Sequence, residues 1–207
     1  MSPAASAGLR ERGKSRRIDR ILEATRELLR EDPEASPTVD QIADRAEVSK
    51  GTVFNLVGTR ESIWAELSSR ALGRMEFIDE IDVEDPQEQA RLIVDGIMKA
   101  LCDDAPVFKA LLNRWDQSGQ VLQRDPADEI LRCLEAATEE GTVAPNLRLR
   151  RLAELTAAGL NGIVHQWAAG LLSDRSLRAR AKDLVDLAFG AARPDGIDGI
   201  RWQLANR

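Results

Sequence analysis

Tyrosine is absent from the 207 residues, histidine occurs once and cysteine twice. These shortages remove whole classes of chemistry. One histidine, His165, and two well-separated thiols, Cys102 and Cys133, do not supply the clustered ligand spacing of a metal site. The sequence also has no Gly-rich phosphate loop and no nucleophile elbow, so an enzyme reading finds no anchoring residues and no cofactor is expected. His165 lies at helical spacing in an apolar stretch, which reads as a satisfied core or interface imidazole. No apolar run approaches the roughly 18 residues of a membrane span. The first twenty residues are polar and basic, unlike a signal peptide. A cytoplasmic protein with reduced, buried thiols is expected.

What is present is ordinary for a globular chain: 43% hydrophobic and 31% charged residues. The net charge of −6 is unevenly placed. Residues 1–64 carry 11 Lys+Arg against 11 Asp+Glu, which leaves 18 against 24 for the remainder. Within the first twenty residues, Arg10, Arg12, Lys14, Arg16, Arg17 and Arg20 oppose only Glu11 and Asp19. Such an arm reads either as a solubilising tail or as a strip for DNA phosphates or a minor groove.

The stretch from Thr38 to Glu61 organises the chain. Thr38 followed by Gln41 is a capping box, and Val39, Ile42, Ala43 and Ala46 recur at helical spacing behind it. Ser49 caps a second short helix that turns Val53, Leu56 and Val57 inward. Its leading end and outer face carry Ser49, Lys50, Gly51, Thr52 and Asn55, with no carboxylate of that helix among them. Hydroxyl, amide and ammonium groups in that arrangement match the donors and acceptors of a DNA major groove, the pattern of a helix-turn-helix. A preceding helix from Ile18 aligns Ile21, Leu22, Thr25, Leu28 and Leu29, and Asp32-Pro33 ends it. A following helix, opened by Gly58 and Thr59, repeats Ile63, Leu67, Ala71, Met75 and Ile78.

ILEAT at 21–25, TVDQIADRA at 38–46, VSKGTV at 48–53 and TRE at 59–61 fall together in one register. From Ile21 to Leu67 the chain resembles the N-terminal domain of TetR-family transcriptional regulators. The resemblance implies DNA contact by Thr38, Ser49, Lys50, Gly51, Thr52, Phe54, Asn55, Thr59 and Arg60. Three departures stand beside it. Glu47 occupies a turn position where the family usually has glycine, Asp32-Pro33 replaces another glycine, and Phe54-Asn55-Leu56-Val57 replaces a Tyr-His-Tyr-Phe run. Two hydroxyls that commonly hold phosphates in relatives are thereby missing.

Beyond residue 64 the periodicity predicts further helices. Asp85-Pro86-Gln87-Glu88 opens one, and others are expected from Pro106 to Trp115, Glu129 to Glu139, Leu147 to Ala169 and Asp174 to Gly190. The tail from Pro194, with Trp202, reads as a loop with one aromatic anchor. By the resemblance the middle helices surround an effector pocket, for which Met98, Phe108, Trp115 and Cys133 are candidates, although each taken singly reads first as plain core. The last two helices would pair with their counterparts in a homodimer through Gly159, Gly162, Ile163, Leu184 and Ala188. The expectation is an all-α protein with a three-helix helix-turn-helix domain at 1–64 and a helical effector-binding and dimerisation domain at 65–207. Its partners would be double-stranded DNA with a palindromic operator, a second copy and a small-molecule effector, with no membrane. A repressor released by its effector is expected. An activator or effector-independent regulator is the alternative, then a helical scaffold without DNA affinity, then an enzyme.

Overall fold

The computed structural model describes residues 3–34, 36–72, 75–113 and 125–194. Their elements in chain order are α1 (Pro3–Glu31), α2 (Val39–Arg45), α3 (Lys50–Leu56), α4 (Arg60–Leu72), a 3-10 segment (Met75–Glu80), α5 (Pro86–Asp103), α6 (Ala105–Leu112), α7 (Pro126–Glu139), α8 (Leu149–Ala168) and α9 (Asp174–Ala192). No strand occurs among the described residues, so the all-α expectation holds. No helix among them is long and apolar enough to cross a membrane. The chain divides into two compact units: one contains α1 to α4 and α6, the other the 3-10 segment, α5, α7, α8 and α9.

The first unit is built on α1, which runs 29 residues and begins at Pro3, not near Ile18 as predicted. Ala4, Ala5, Leu9, Arg10, Glu11 and Arg12 are good helix formers, so the basic arm continues the helix. Ile21, Leu22 and Leu29 of α1 are buried with Ile42, Val53, Ile63 and Leu67, and α6 adds Val107, Ala110 and Leu111 to the same core. Each such Leu or Ile stabilises the unit by about 1.5–3 kcal/mol relative to exposure. Thr25 is buried at no polar cost because its hydroxyl donates to the Ile21 carbonyl at 2.8 Å. α1 runs antiparallel to α4: Arg70, late in α4, pairs with Asp19, whereas Arg60, at its start, donates to Ser36 at 3.4 Å.

In the second unit α5 packs on α7 and α9, and α8 packs on the same two helices. Val94, Ile130, Leu134, Trp167, Leu177 and Val185 fill the space between them. Trp167 satisfies its indole N–H on Asp174 at 2.7 Å. Charged groups tie α5 to α9: Arg178 forks onto Asp95 at 2.8 Å through two nitrogens, Lys182 reaches the same carboxylate at 3.2 Å, and Arg91 and Gln87 both donate to Asp186. Gly96 lies against the Phe77 ring, with no room for a Cβ, which seats the 3-10 segment on α5.

Three sequence expectations need correcting here. α7 opens at Pro126 behind an Asp125 N-cap, a turn earlier than predicted, and this buries Glu129, whose carboxylate pairs with Arg132. His165 is exposed on α8, so the core reading of its imidazole fails. Cys133 is buried and its thiol is pushed up to about 11 by that burial, as an inert thiol should be, but Cys102 is only half-buried. Met75 has no described side chain, and Trp115 and Trp202 lie outside the described residues.

Candidate nucleic-acid interface

Local chemistry fixes the turn between α2 and α3. The Thr38 hydroxyl accepts from the Gln41 N–H at 3.3 Å while the Gln41 side chain accepts from the Thr38 N–H at 2.9 Å, completing the capping box. At the other end of α2 the chain reverses through Glu47, whose φ of 53° is left-handed. The Val48 N–H donates to Ala43 at 3.0 Å and the Glu47 N–H to Asp44 at 3.2 Å, a Schellman closure that glycine usually provides. Glu47 adopts it at a cost of about 1–2 kcal/mol. Ser49 then caps α3 by accepting from the Thr52 N–H at 3.2 Å, and its hydroxyl also meets that of Thr52 at 2.8 Å.

The remaining break is Gly58, at φ 106°. Its N–H still donates to Val53 at 3.2 Å, and the Ser62 hydroxyl is so near that a Cβ would stand 2.9 Å from it. Thr59 caps α4 by accepting from the Ser62 N–H. The carboxyl of Glu61 in that first turn is held below its ordinary value, first by its own backbone N–H and then by the Thr59 hydroxyl.

With Val53 fully buried, the outer side of α3 is left to solvent: Ser49, Lys50, Gly51, Phe54 and Asn55 are exposed, and Thr52 is half-buried. Thr38 and Thr59 are exposed and Arg60 half-buried. The starts of the three helices lie within side-chain reach of one another. Lys50 meets Asp40, the second residue of α2, at 2.8 Å, and Arg60 meets Ser36 just before the Thr38 cap. Phe54 is 46% exposed, so its ring leans on the edge of the unit and is not buried beneath it. Arg45 has a different role. It forks onto Glu31 at 2.9 Å through both terminal nitrogens, with Glu27 at 3.4 Å, and so braces α2 against α1. That hydrogen bonding holds Glu31 below its ordinary range. Sequence reasoning missed the Asp40–Lys50 pair, since a contact ten residues apart across a turn leaves no periodic trace.

The effector and dimer candidates are placed less uniformly. Met98 on α5 and Cys133 on α7 are buried in the second unit, Cys133 facing Gln89 at 3.9 Å, whereas Phe108 on α6 is buried and belongs to the first unit. An apolar cavity of about 290 Å³ opens between α8 and α9, lined by Leu152, Leu155, Thr156, Leu184, Leu187 and Ala188. Of the dimer candidates, Leu184 and Ala188 border it. A Cβ on Gly159 would stand 2.6 Å from Leu184, so that glycine serves packing within the chain. Gly162 is exposed, with open space where a Cβ would go, and Ile163 beside it is half-buried.

No protein-family model and no curated protein matches this sequence. Solved structures do. The repressor SmeT of the Stenotrophomonas maltophilia multidrug efflux pump SmeDEF superposes with a TM-score of 0.67, at 20% identity over 88% of this chain and 94% of its own. FadR of Thermus thermophilus, a TetR-family repressor in complex with lauroyl-CoA, gives 0.65 at 22% identity over 88% and 99%. A TetR-family regulator of Pectobacterium atrosepticum gives 0.67 at 16% over 89% and 98%. The fold is that of TetR-family transcriptional regulators. Within that fold, α2 and α3 are the helix-turn-helix pair that the motifs of residues 38–61 predicted.

Proposed function

We propose that the protein is a transcriptional regulator that binds DNA through residues 1–64 and senses a small molecule through residues 65–207, with α6 contributed back to the DNA-binding core. The observation that carries this reading is the outer surface of α3. A fully buried Val53 anchors the helix, and Lys50, Thr52 and Asn55 face outward from a turn closed by hydrogen bonds. Such groups suit base edges in a major groove, where one good contact is worth about 1–3 kcal/mol. Thr38, Ser49, Thr59 and Arg60 surround them as phosphate contacts, which position the protein without reading sequence.

The protein acts as a homodimer through α8 and α9, on a palindromic operator in the cytoplasm. Leu155 is 50% and Leu187 59% exposed beside the cavity between those helices, an apolar surface that a second copy would cover. Repression relieved by an effector is the preferred mode, in line with the repressors it resembles in fold. Selection of genomic fragments with the purified protein, followed by gel retardation, tests the reading. An enriched inverted repeat bound by two protomers supports it. Failure to retard any duplex at low salt would favour a helical scaffold without DNA affinity, and a monomer in light scattering at micromolar concentration would remove the dimer.

A further inference from the structure

The cations around α3 are restrained to different degrees. Arg45 is locked by the Glu31 fork, and among the described residues Arg60 holds a long hydroxyl contact to Ser36 and a 3.7 Å approach to Glu61. Lys50 lies between these extremes. Its ammonium sits 2.8 Å from Asp40 in a single contact, with 53% of the lysine and 62% of the aspartate side chain exposed. The turn does not need this pair, because backbone bonds from Glu47 and Val48 and the Ser49 hydroxyl already close it.

We propose that Asp40 competes with DNA for the Lys50 ammonium and thereby limits how tightly, and up to what salt concentration, α3 engages a duplex. The proposal rests on the DNA-binding reading above. The ammonium has three donors and Asp40 engages one of them, so a phosphate oxygen or the acceptor edge of a guanine must share Lys50 with the carboxylate or displace it. After displacement, Asp40 remains as a negative charge beside a polyanion. Both effects oppose binding, and both apply to any sequence that reaches Lys50. An exposed pair of this kind is weak enough to be exchanged for a phosphate without a separate conformational change.

The test is a cycle of four proteins: wild type, Asp40→Asn, Lys50→Ala and the double variant. Each is titrated with a selected operator and with a random duplex of equal length across a salt series. Asp40→Asn should tighten binding to both duplexes by about two- to five-fold at low salt, the range an exposed ion pair spans. Its salt slope should steepen by up to about one counterion. In the Lys50→Ala background most of that gain should vanish. An undiminished gain there would overturn the proposal, since Asp40 would then act on the phosphates directly. Unchanged or weakened binding by Asp40→Asn would overturn it too, the pair being neutral or serving to position Lys50. Asp40→Ser, which keeps a side-chain oxygen in the first turn of α2, should repeat the gain, and melting curves confirm that each variant is folded. If the wild type retards neither duplex, the regulator reading itself has failed, which differs from wild-type binding that Asp40→Asn leaves unchanged.

Discussion

The turns that shape one unit and the ion pairs that tie helices in the other differ in range. In the unit of α1 to α4 and α6, the caps and turns that shape the proposed contact surface are closed within a few residues: Thr38 with Gln41, Ser49 with Thr52, Glu47 and Val48 with Asp44 and Ala43, Thr59 with Ser62. In the other unit the polar ties run from Asp95 to Arg178 and from Arg91 to Asp186, across most of the second half of the chain. Local closure makes a surface stiff wherever it is placed. Distant ties make the relation between helices depend on several groups at once, which is the property a domain needs if a ligand is to rearrange it.

The largest effect is expected where local closure leaves no alternative. Gly58→Ala must hold an alanine at φ 106° with its Cβ against Ser62, at a cost of about 1–3 kcal/mol, and thermal unfolding should show a drop of several degrees. An unchanged melting temperature would mean that the α3–α4 turn relaxes, and the contrast in stiffness would be lost.

Next in size is Asp95→Asn in the other unit. Hydrogen bonding to Arg178, then to Lys182, holds the Asp95 carboxyl below its ordinary value, and Arg91 does the same for Asp186. A depressed carboxyl pKa stabilises the fold at pH values above that of the unfolded chain, and this stabilisation is lost as pH falls through the folded value. The variant should lose roughly 1 kcal/mol at pH 7, a figure reduced for the exposure of its partners. The difference from wild type should shrink as pH falls below the ordinary carboxylate range, where the wild-type carboxyl also protonates. Melting temperatures measured from pH 7 down to pH 3 check the sign; a difference that grows with acid would contradict the ion-pair origin.

Phe54→Tyr acts on binding and not on stability. With the ring 46% exposed, the added hydroxyl has solvent access, so stability should be unchanged. A phosphate within reach would add at best about 1.5–3 kcal/mol, and less where a water already bridges. The gain should be equal on operator and random DNA, and binding titrations on both decide it. Glu47→Gly comes last, relieving left-handed strain against a larger backbone entropy loss, for a net gain of about 0.5 kcal/mol readable in chemical denaturation.

The same difference in range explains what could be read from the chain alone. Caps, the turn at Glu47 and the buried face of Val53 are encoded within a few residues, so the helix-turn-helix and the all-α class followed directly. Asp125-Pro126 has the signature that marked Asp85-Pro86 and was legible in principle, although the apolar positions after Glu129 drew the start of α7 too late. The pairing of Asp40 with Lys50 and the exposure of His165 depend on how helices lie against each other, which periodicity does not report. Leu155 and Leu187 illustrate the limit differently. An apolar residue on a helix reads as core whether it is covered by its own chain or left for another.

The membership of α6 has a consequence for modularity. Val107, Ala110 and Leu111 complete the core around α1, while α5 and α7 on either side of them in sequence belong to the other unit. A gene segment ending near Ala71 would encode every residue proposed to face DNA, yet leave part of the hydrophobic interior of that unit behind. Recombination could not exchange the unit of α1 to α4 as a single cassette without importing or redesigning those three positions. On the proposed function, point substitution on α3 changes the contact surface without touching that shared interior.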